Sequence, residues 1–207
     1  MSMEKLLIFP FNGNGIEALD CVRGQFEVIG FIDDDLLKQK SKGFGFQVYS
    51  REIINKERNA KILALPGNPL NFRERLNVIS SLQIPDERFA TLIHPQATVS
   101  PLAQIGKNVL IMAGVVITSN VIISDHVIIL PNSVVHHDSE IGTGTLIGSN
   151  VLVAGNVSVG ENCYIASGSN VINGITIGKK SILGLGTNLI KSVPDNSKVV
   201  GNPGKLK

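Results

Sequence analysis

The sequence predicts a small α/β domain built on a parallel, Rossmann-like sheet, followed by an all-β parallel β-helix. Three observations carry this. Every sixth residue between positions 99 and 189 is aliphatic, running Val99, Ile105, Ile111, Ile117 and onward to Ile177, Leu183 and Leu189 without a slip. Four residues after most of these positions the chain is small or β-branched, as at Ala103, Val109, Ser133, Ser139, Thr145 and Cys163. Before position 95 the pattern changes, and short apolar runs closed by turn residues alternate with helical stretches.

A period of six matches neither the 3.6-residue helix face nor the two-residue strand alternation. It matches a short strand plus a corner: the aliphatic residue points inward, its neighbours point outward, and the small residue fits where the chain turns. Three such sides close one triangular coil. The sixteen aliphatic positions make about five coils, with backbone hydrogen bonds running between coils and Ile and Val columns stacked inside.

In the first part, residues 5–11 read as a buried strand, Asn12-Gly13-Asn14-Gly15 as a turn and residues 16–22 as a helix. Residues 26–33 form a second strand that ends in Asp33-Asp34-Asp35, and residues 61–65 a third, followed by Pro66-Gly67-Asn68. Asn71-Phe72-Arg73-Glu74 has the spacing of a capping box opening a helix to about Gln83. Strands alternating with helices give a parallel sheet whose ligand sites lie beyond the strand C-terminal ends. The boundary falls at residues 1–95 and 96–207, with Ile93-His94-Pro95 joining the parts without a disordered linker.

Composition narrows the function. The chain has 207 residues and a net charge of +2, too weak a balance to argue for nucleic-acid or membrane partners. Cys21 and Cys163 match no metal or redox spacing and read as reduced buried thiols. The apolar run near the N-terminus is too short for a signal-peptide core, and no later run reaches bilayer length, so a cytoplasmic protein is expected. From Gly178 onward six lysines face one acid, Asp195, a basic end able to hold phosphates or simply a solvated tail.

The six-residue repeat, together with Ser192-Val193-Pro194-Asp195-Asn196-Ser197 and Val200-Gly201-Asn202-Pro203-Gly204-Lys205, resembles the hexapeptide-repeat acyltransferases and their closing segment. That resemblance implies left-handed coils, against the usual crossover preference, and a homotrimer with acetyl-CoA lying between neighbouring prisms. The glycine-rich first turn, Phe31-Ile32-Asp33-Asp34, Ile93-His94-Pro95 and His137-Asp138 are similar to the NeuD/PglD-type sugar acetyltransferases over essentially the whole chain.

The resemblance implies His137 as general base and Asp138 as the acid paired with it. The coil register alone places His137 two residues past inward Val135, at a corner and on the outer surface, with Ser119 and Gly155 one coil away on either side. His136 is expected to be exposed. By the same resemblance Leu146, Gly155, Ser167 and Leu185 line the acetyl-CoA cleft; Leu146 stands where relatives often carry a histidine. Asn12, Gly13 and Asn14 match the turn near the sugar nucleotide, Asp33 and Asp34 the pair contacting its base or ribose, and Gly67 a glycine close by. Pro10 replaces the relatives' first glycine.

The expected activity is direct acetyl transfer from acetyl-CoA to the amino group of a nucleotide-linked 4-amino-deoxysugar in bacterial surface glycan synthesis, with no metal. The alternative acceptor is sialic acid or a related nonulosonic acid, taken as an O-acetyl ester. A zinc lyase on the same prism would need three gathered histidines, and His126, His136 and His137 lack the required spacing. A noncatalytic nucleotide-binding scaffold is the reading from another class, and thioester turnover would exclude it.

Overall fold

The computed structural model describes residues 3–40 and 42–207. Five strands form the first sheet: β1 (Glu4–Phe9), β2 (Phe26–Ile32), β3 (Lys42–Gly43), β4 (Phe46–Tyr49) and β5 (Lys61–Ala64). Their order is β3-β4-β2-β1-β5, parallel throughout except for the antiparallel β3–β4 hairpin at one edge. Side chains alternate across the sheet as the pleat requires. Leu6, Ile8, Phe31 and Leu63 face the prism, whereas Leu7, Phe9, Ile32 and Ile62 face the opposite layer.

Several local expectations need correction. The first strand ends at Phe9, and the expected turn already belongs to a helix, α1 (Gly13–Glu17), which is followed by α2 (Leu19–Val22). Asn12 is the reason: its Oδ1 accepts from the Gly15 backbone N–H at 2.8 Å and so caps α1 one turn early. The helix α3 (Leu36–Gln39), the β3–β4 hairpin and α4 (Ile53–Lys56) carry no period strong enough to show in sequence. No capping box forms at Asn71. Its side chain instead accepts from Asn68 N, a 3-10 turn covers Phe72–Glu74, and α5 runs only over Arg75–Ser80.

Among the described residues the prism is built of short strands, all but one of two residues, stacked on three faces of six, five and eight strands. Register is exact to eighteen residues: Val116 pairs with Val134, Leu146 with Tyr164 and Asn170 with Asn188. The predicted aliphatic columns are its buried core, each fully buried Val or Ile contributing about 1.5–3 kcal/mol over an exposed one. At the inner corners the small hydroxyls stitch coils together. Ser139 Oγ donates to Ala154 O at 2.8 Å and accepts from Val157 N at 3.1 Å, and Thr145 repeats the pattern with Gly160 and Cys163.

A second six-residue column runs through the outer corners. Every sixth residue from Asn108 to Gly186 has a positive φ, including Asn120 (58°), His126 (63°), Asn132 (61°), Asp138 (59°) and Asn156 (57°). Asn, Asp and Gly tolerate this left-handed conformation best, and they fill most of the column.

The repeat does not stop at Leu189, as the sequence suggested. Val193 bridges to Ile177, and Lys198–Val200 pairs with Ile182–Leu183. Stacking continues after a coil shortened to sixteen residues, so the six-residue count fails while the core column survives in Val193 and Val199. At the other end the first prism strand is Leu92–Ile93, paired with Leu110–Ile111. Leu92, Leu110, Met112, Ile128 and Leu146 point outward from the eight-stranded face and are buried against the sheet domain.

Candidate active site

His137 occupies a corner between the six-stranded and five-stranded faces, just after the strand Val134–Val135. Its side chain is 56% exposed and its Nδ1 lies 2.7 Å from Asp138 Oδ2. Asp138 can reach back to the preceding residue because its own backbone is in the left-handed corner conformation. Asn120, one coil away on the same corner, donates from Nδ2 to Asp138 Oδ1 at 2.7 Å. The hydrogen bonds from Asn120 and then His137 hold the Asp138 carboxyl below its usual range.

An ionised carboxylate only accepts, so the proton shared across this contact belongs to Nδ1. In the neutral ring the lone pair then sits on Nε2. Gly155, one coil further on, lies directly against the ring: a Cβ there would fall 2.7 Å from both Cε1 and Nε2 of His137. The imidazole thus occupies the space that any side chain at position 155 would fill. The arrangement is a surface imidazole oriented by Asp138 on one side and backed by Gly155, with its outer edge exposed.

His136, expected to be exposed, is half-buried, because its outward position on the six-stranded face stacks beside Thr118 and Ala154 of adjoining coils. His126 sits at a different corner, where Phe89 packs edge-on at 5.1 Å and Asn108 Nδ2 lies 3.0 Å from its Nδ1. Burial lowers its pKa. Among the described residues no cluster of three or more His, Cys, Asp or Glu is placed to hold a metal ion.

The positions expected to line the coenzyme cleft are spread over the prism. Gly155 is buried under His137, Ser167 Oγ accepts from Ser149 N at 3.1 Å, and Leu185 projects from the surface at 77% exposure. Leu146 lies apart from His137, on the eight-stranded face. There it joins Ile128, Leu130 and Tyr164 as the apolar floor of a cavity of about 140 Å³, whose rim is Asn14, Gly67, Asn68 and Pro69. One chain therefore brings Asn14, Gly67 and Leu146 together and leaves His137 elsewhere.

Asn12, Asp33 and Asp34 have internal partners. Asn12 Nδ2 donates to Leu65 O at 3.2 Å, tying the first turn to the end of β5. Asp33 is buried and accepts from Phe11 N at 3.0 Å, Asp35 N at 2.9 Å and Lys38 Nζ at 2.9 Å. Asp34 makes a two-pronged pair with Arg51 at 2.7 Å on each oxygen. Gly13 is exposed at the start of α1. The sequence reading missed Arg75, Asn108 and Asn120, which act through backbone groups or through another side chain. The left-handed column was the available signal for the two asparagines.

The family described as bacterial transferase hexapeptide (six repeats) matches residues 102–137, 120–155 and 138–173. The solved structure of a histidine mutant of perosamine N-acetyltransferase from Caulobacter crescentus, in complex with CoA and GDP-perosamine, is similar with a TM-score of 0.87 and 28% identity, covering 99% of this chain and 96% of that one. The acetyltransferase domain of PglB from Neisseria gonorrhoeae, in complex with acetyl coenzyme A, is similar with a TM-score of 0.86 and 27% identity over 100% of both chains. A serine acetyltransferase from Bacillus pumilus is 44% identical over 46 residues, a match spanning 22% of this chain and only 21% of that protein. The repeat is thus matched over residues 102–173, and the whole chain, small sheet domain included, is similar to these solved sugar acetyltransferases, consistent with the NeuD/PglD type.

Proposed function

We propose that the protein transfers the acetyl group of acetyl-CoA directly to the amino group of a nucleotide-linked 4-amino-deoxysugar, serving bacterial surface glycan synthesis in the cytoplasm. The observation that carries this reading is the His137–Asp138–Asn120 chain with its free Nε2 above Gly155. The acceptor nitrogen attacks the thioester carbonyl, Nε2 takes the proton that nitrogen must shed, and the coenzyme leaves as its thiolate. Residues 1–95 hold the nucleotide sugar, and residues 96–207 hold the coenzyme along Gly155, Ser167 and Leu185. The perosamine enzyme's complex with CoA and GDP-perosamine supports that pairing of substrates.

A panel of amino-sugar nucleotides and sialic acids, assayed with acetyl-CoA by free-thiol release, tests the proposal. Turnover of a nucleotide-linked amino sugar is expected. Its nucleotide at a hundredfold excess over Kd should add about 2.7 kcal/mol of stability. Turnover of free sialic acid with melting curves unmoved by any nucleotide would move the activity to O-acetylation. No thiol release with any acceptor would leave a noncatalytic scaffold.

Since His137 and the Leu146 cavity lie apart in one chain, the site is completed by a neighbouring prism in a homotrimer. The six-stranded face supports this with exposed Leu152, Ile172 and Ile190 and neutral neighbours at Asn170 and Asn188. Light scattering should report a trimer at micromolar concentration; a stable monomer would remove the shared site.

A further inference from the structure

The loop that leaves β5 is held from several directions. Asn108, on the prism corner, grips Ala64 at both its N–H (2.7 Å) and its C=O (2.8 Å). Leu65 O takes the bond from Asn12 already described, and Pro66 O accepts from Arg75 Nε. Arg75 Nη1 then donates to His126 O at 2.6 Å and Gly144 O at 2.7 Å, successive rungs of a single prism corner. Gly67, with φ at +121°, lies so close over this side chain that a Cβ would fall 2.6 Å from Arg75 Cδ.

Arg75 is only 1% exposed, and among the described residues every group it donates to is a carbonyl and its Nη2 is buried without a partner. Burial pulls its pKa down to about 9. A buried guanidinium with no carboxylate among those acceptors is a costly way to fill space; a methionine would pack there with no polar group to desolvate. What a guanidinium supplies and an apolar residue cannot is a rigid planar fork that bonds several acceptors at fixed angles. Here the fork joins the loop to the prism.

We propose that Arg75 is a positioning residue for the acceptor, setting the height of residues 66–69 over the floor formed by Ile128, Leu130, Leu146 and Tyr164. The inference rests on the proposed function and reads this cavity, which carries Asn14 and Gly67 on its rim, as part of the acceptor site and not of the coenzyme cleft in which Leu146 was expected. Gly67, Asn68 and Pro69 are its rim, so a loop set loose from Arg75 changes the cavity while the prism corner carrying His137 stays as it is. Arg75 is itself buried away from the surface and acts through the loop.

The test uses the full-length protein with Arg75→Lys, which keeps the charge but loses the fork, and Arg75→Met, which keeps the stem. Phe89→Leu serves as a control that weakens the packing on His126 at the same junction without touching the loop. Both Arg75 variants, assayed below their melting temperatures, should raise the acceptor KM about tenfold with the acetyl-CoA KM within about twofold of the original. Hydrogen exchange at the backbone amides of Gly67, Asn68 and Leu70 should quicken about tenfold, with prism amides unmoved. Phe89→Leu should lower Tm without either effect. Arg75 variants that lower Tm alone, raise both KM values alike or leave loop exchange unchanged would overturn the proposal. If the original protein turns over no nucleotide sugar, the functional reading fails by itself, and the exchange measurement still decides whether Arg75 sets the loop. If Arg75→Met does not fold, Arg75→Lys carries the comparison.

Discussion

His137→Ala should lower kcat by about 10²–10⁴-fold, the usual cost of removing a general base, while the assembly and the affinity for acetyl-CoA stay largely intact. The side chain is exposed and its hydrogen-bond partner is the neighbouring Asp138, so little of the prism depends on it. His136→Ala should cost much less. That ring belongs to the outward column of the six-stranded face, beside Thr118 and Ala154, and does not take part in the Asp138 contact. Steady-state rates of both variants at several pH values separate the assignments. If His136→Ala is the crippled enzyme and His137→Ala keeps most of its turnover, the base has been placed one residue off.

The second large effect is expected from adding a single methyl group. In Gly155→Ala the new Cβ would sit 2.7 Å from Cε1 and Nε2 of His137, inside van der Waals contact. The backbone beneath cannot yield, since Gly155 O accepts from Gly174 N and Asn156 N donates to His137 O, both at 3.0 Å, within the coil stack. The ring must swing outward, which breaks the 2.7 Å contact between Nδ1 and Asp138. Misplacing a catalytic group by about an ångström costs about 10²-fold, so kcat should fall by that order while Tm barely moves. A crystal structure of the variant would show the displaced imidazole. An enzyme with unchanged kcat and an unmoved ring would mean that the Gly155 contact has no part in holding the base.

Much of this was legible because the prism obeys an integer. Inward Val135 sets the register, the corner follows two residues later, and eighteen residues on stands Gly155, so the neighbours of His137 can be counted without a structure. The last coil broke the count, since a loss of two residues between Leu189 and Val193 is invisible to a rule of six even though the core column continues. The left-handed corners went unread for another reason. Asn, Gly, His, Asp and Lys share no chemistry that a search for functional groups would join, only tolerance of a positive φ.

The sheet domain was legible in three of its strands, Glu4–Phe9, Phe26–Ile32 and Lys61–Ala64, and poorly elsewhere. Asp33 and Asp34 carry charge in the sequence, but which partners use it depends on where Lys38 and Arg51 fold, and local pattern does not reveal that. Arg75 is the sharpest case. Charged residues are rarely buried, so an arginine in a helical stretch reads as solvated, and only the approach of a prism corner makes it the centre of the junction.

The eighteen-residue register also makes the prism a ruler. Duplicating a whole coil would lengthen it by about 4.8 Å and return every face to the same compass direction, leaving the histidine corner aligned with its neighbours in an assembly. Adding six residues instead would turn everything downstream by one side of the triangle and send Gly155, Ser167 and Leu185 to a different face. Lineages built on this scaffold can therefore change length freely only in whole turns, and an insertion of any other size has to leave as a loop from a corner. The sixteen-residue coil, with Lys198–Val200 still in its slot beside Ile182–Leu183, shows where the ruler can be cut short: just before Lys205–Leu206 folds back antiparallel and the coiling gives way.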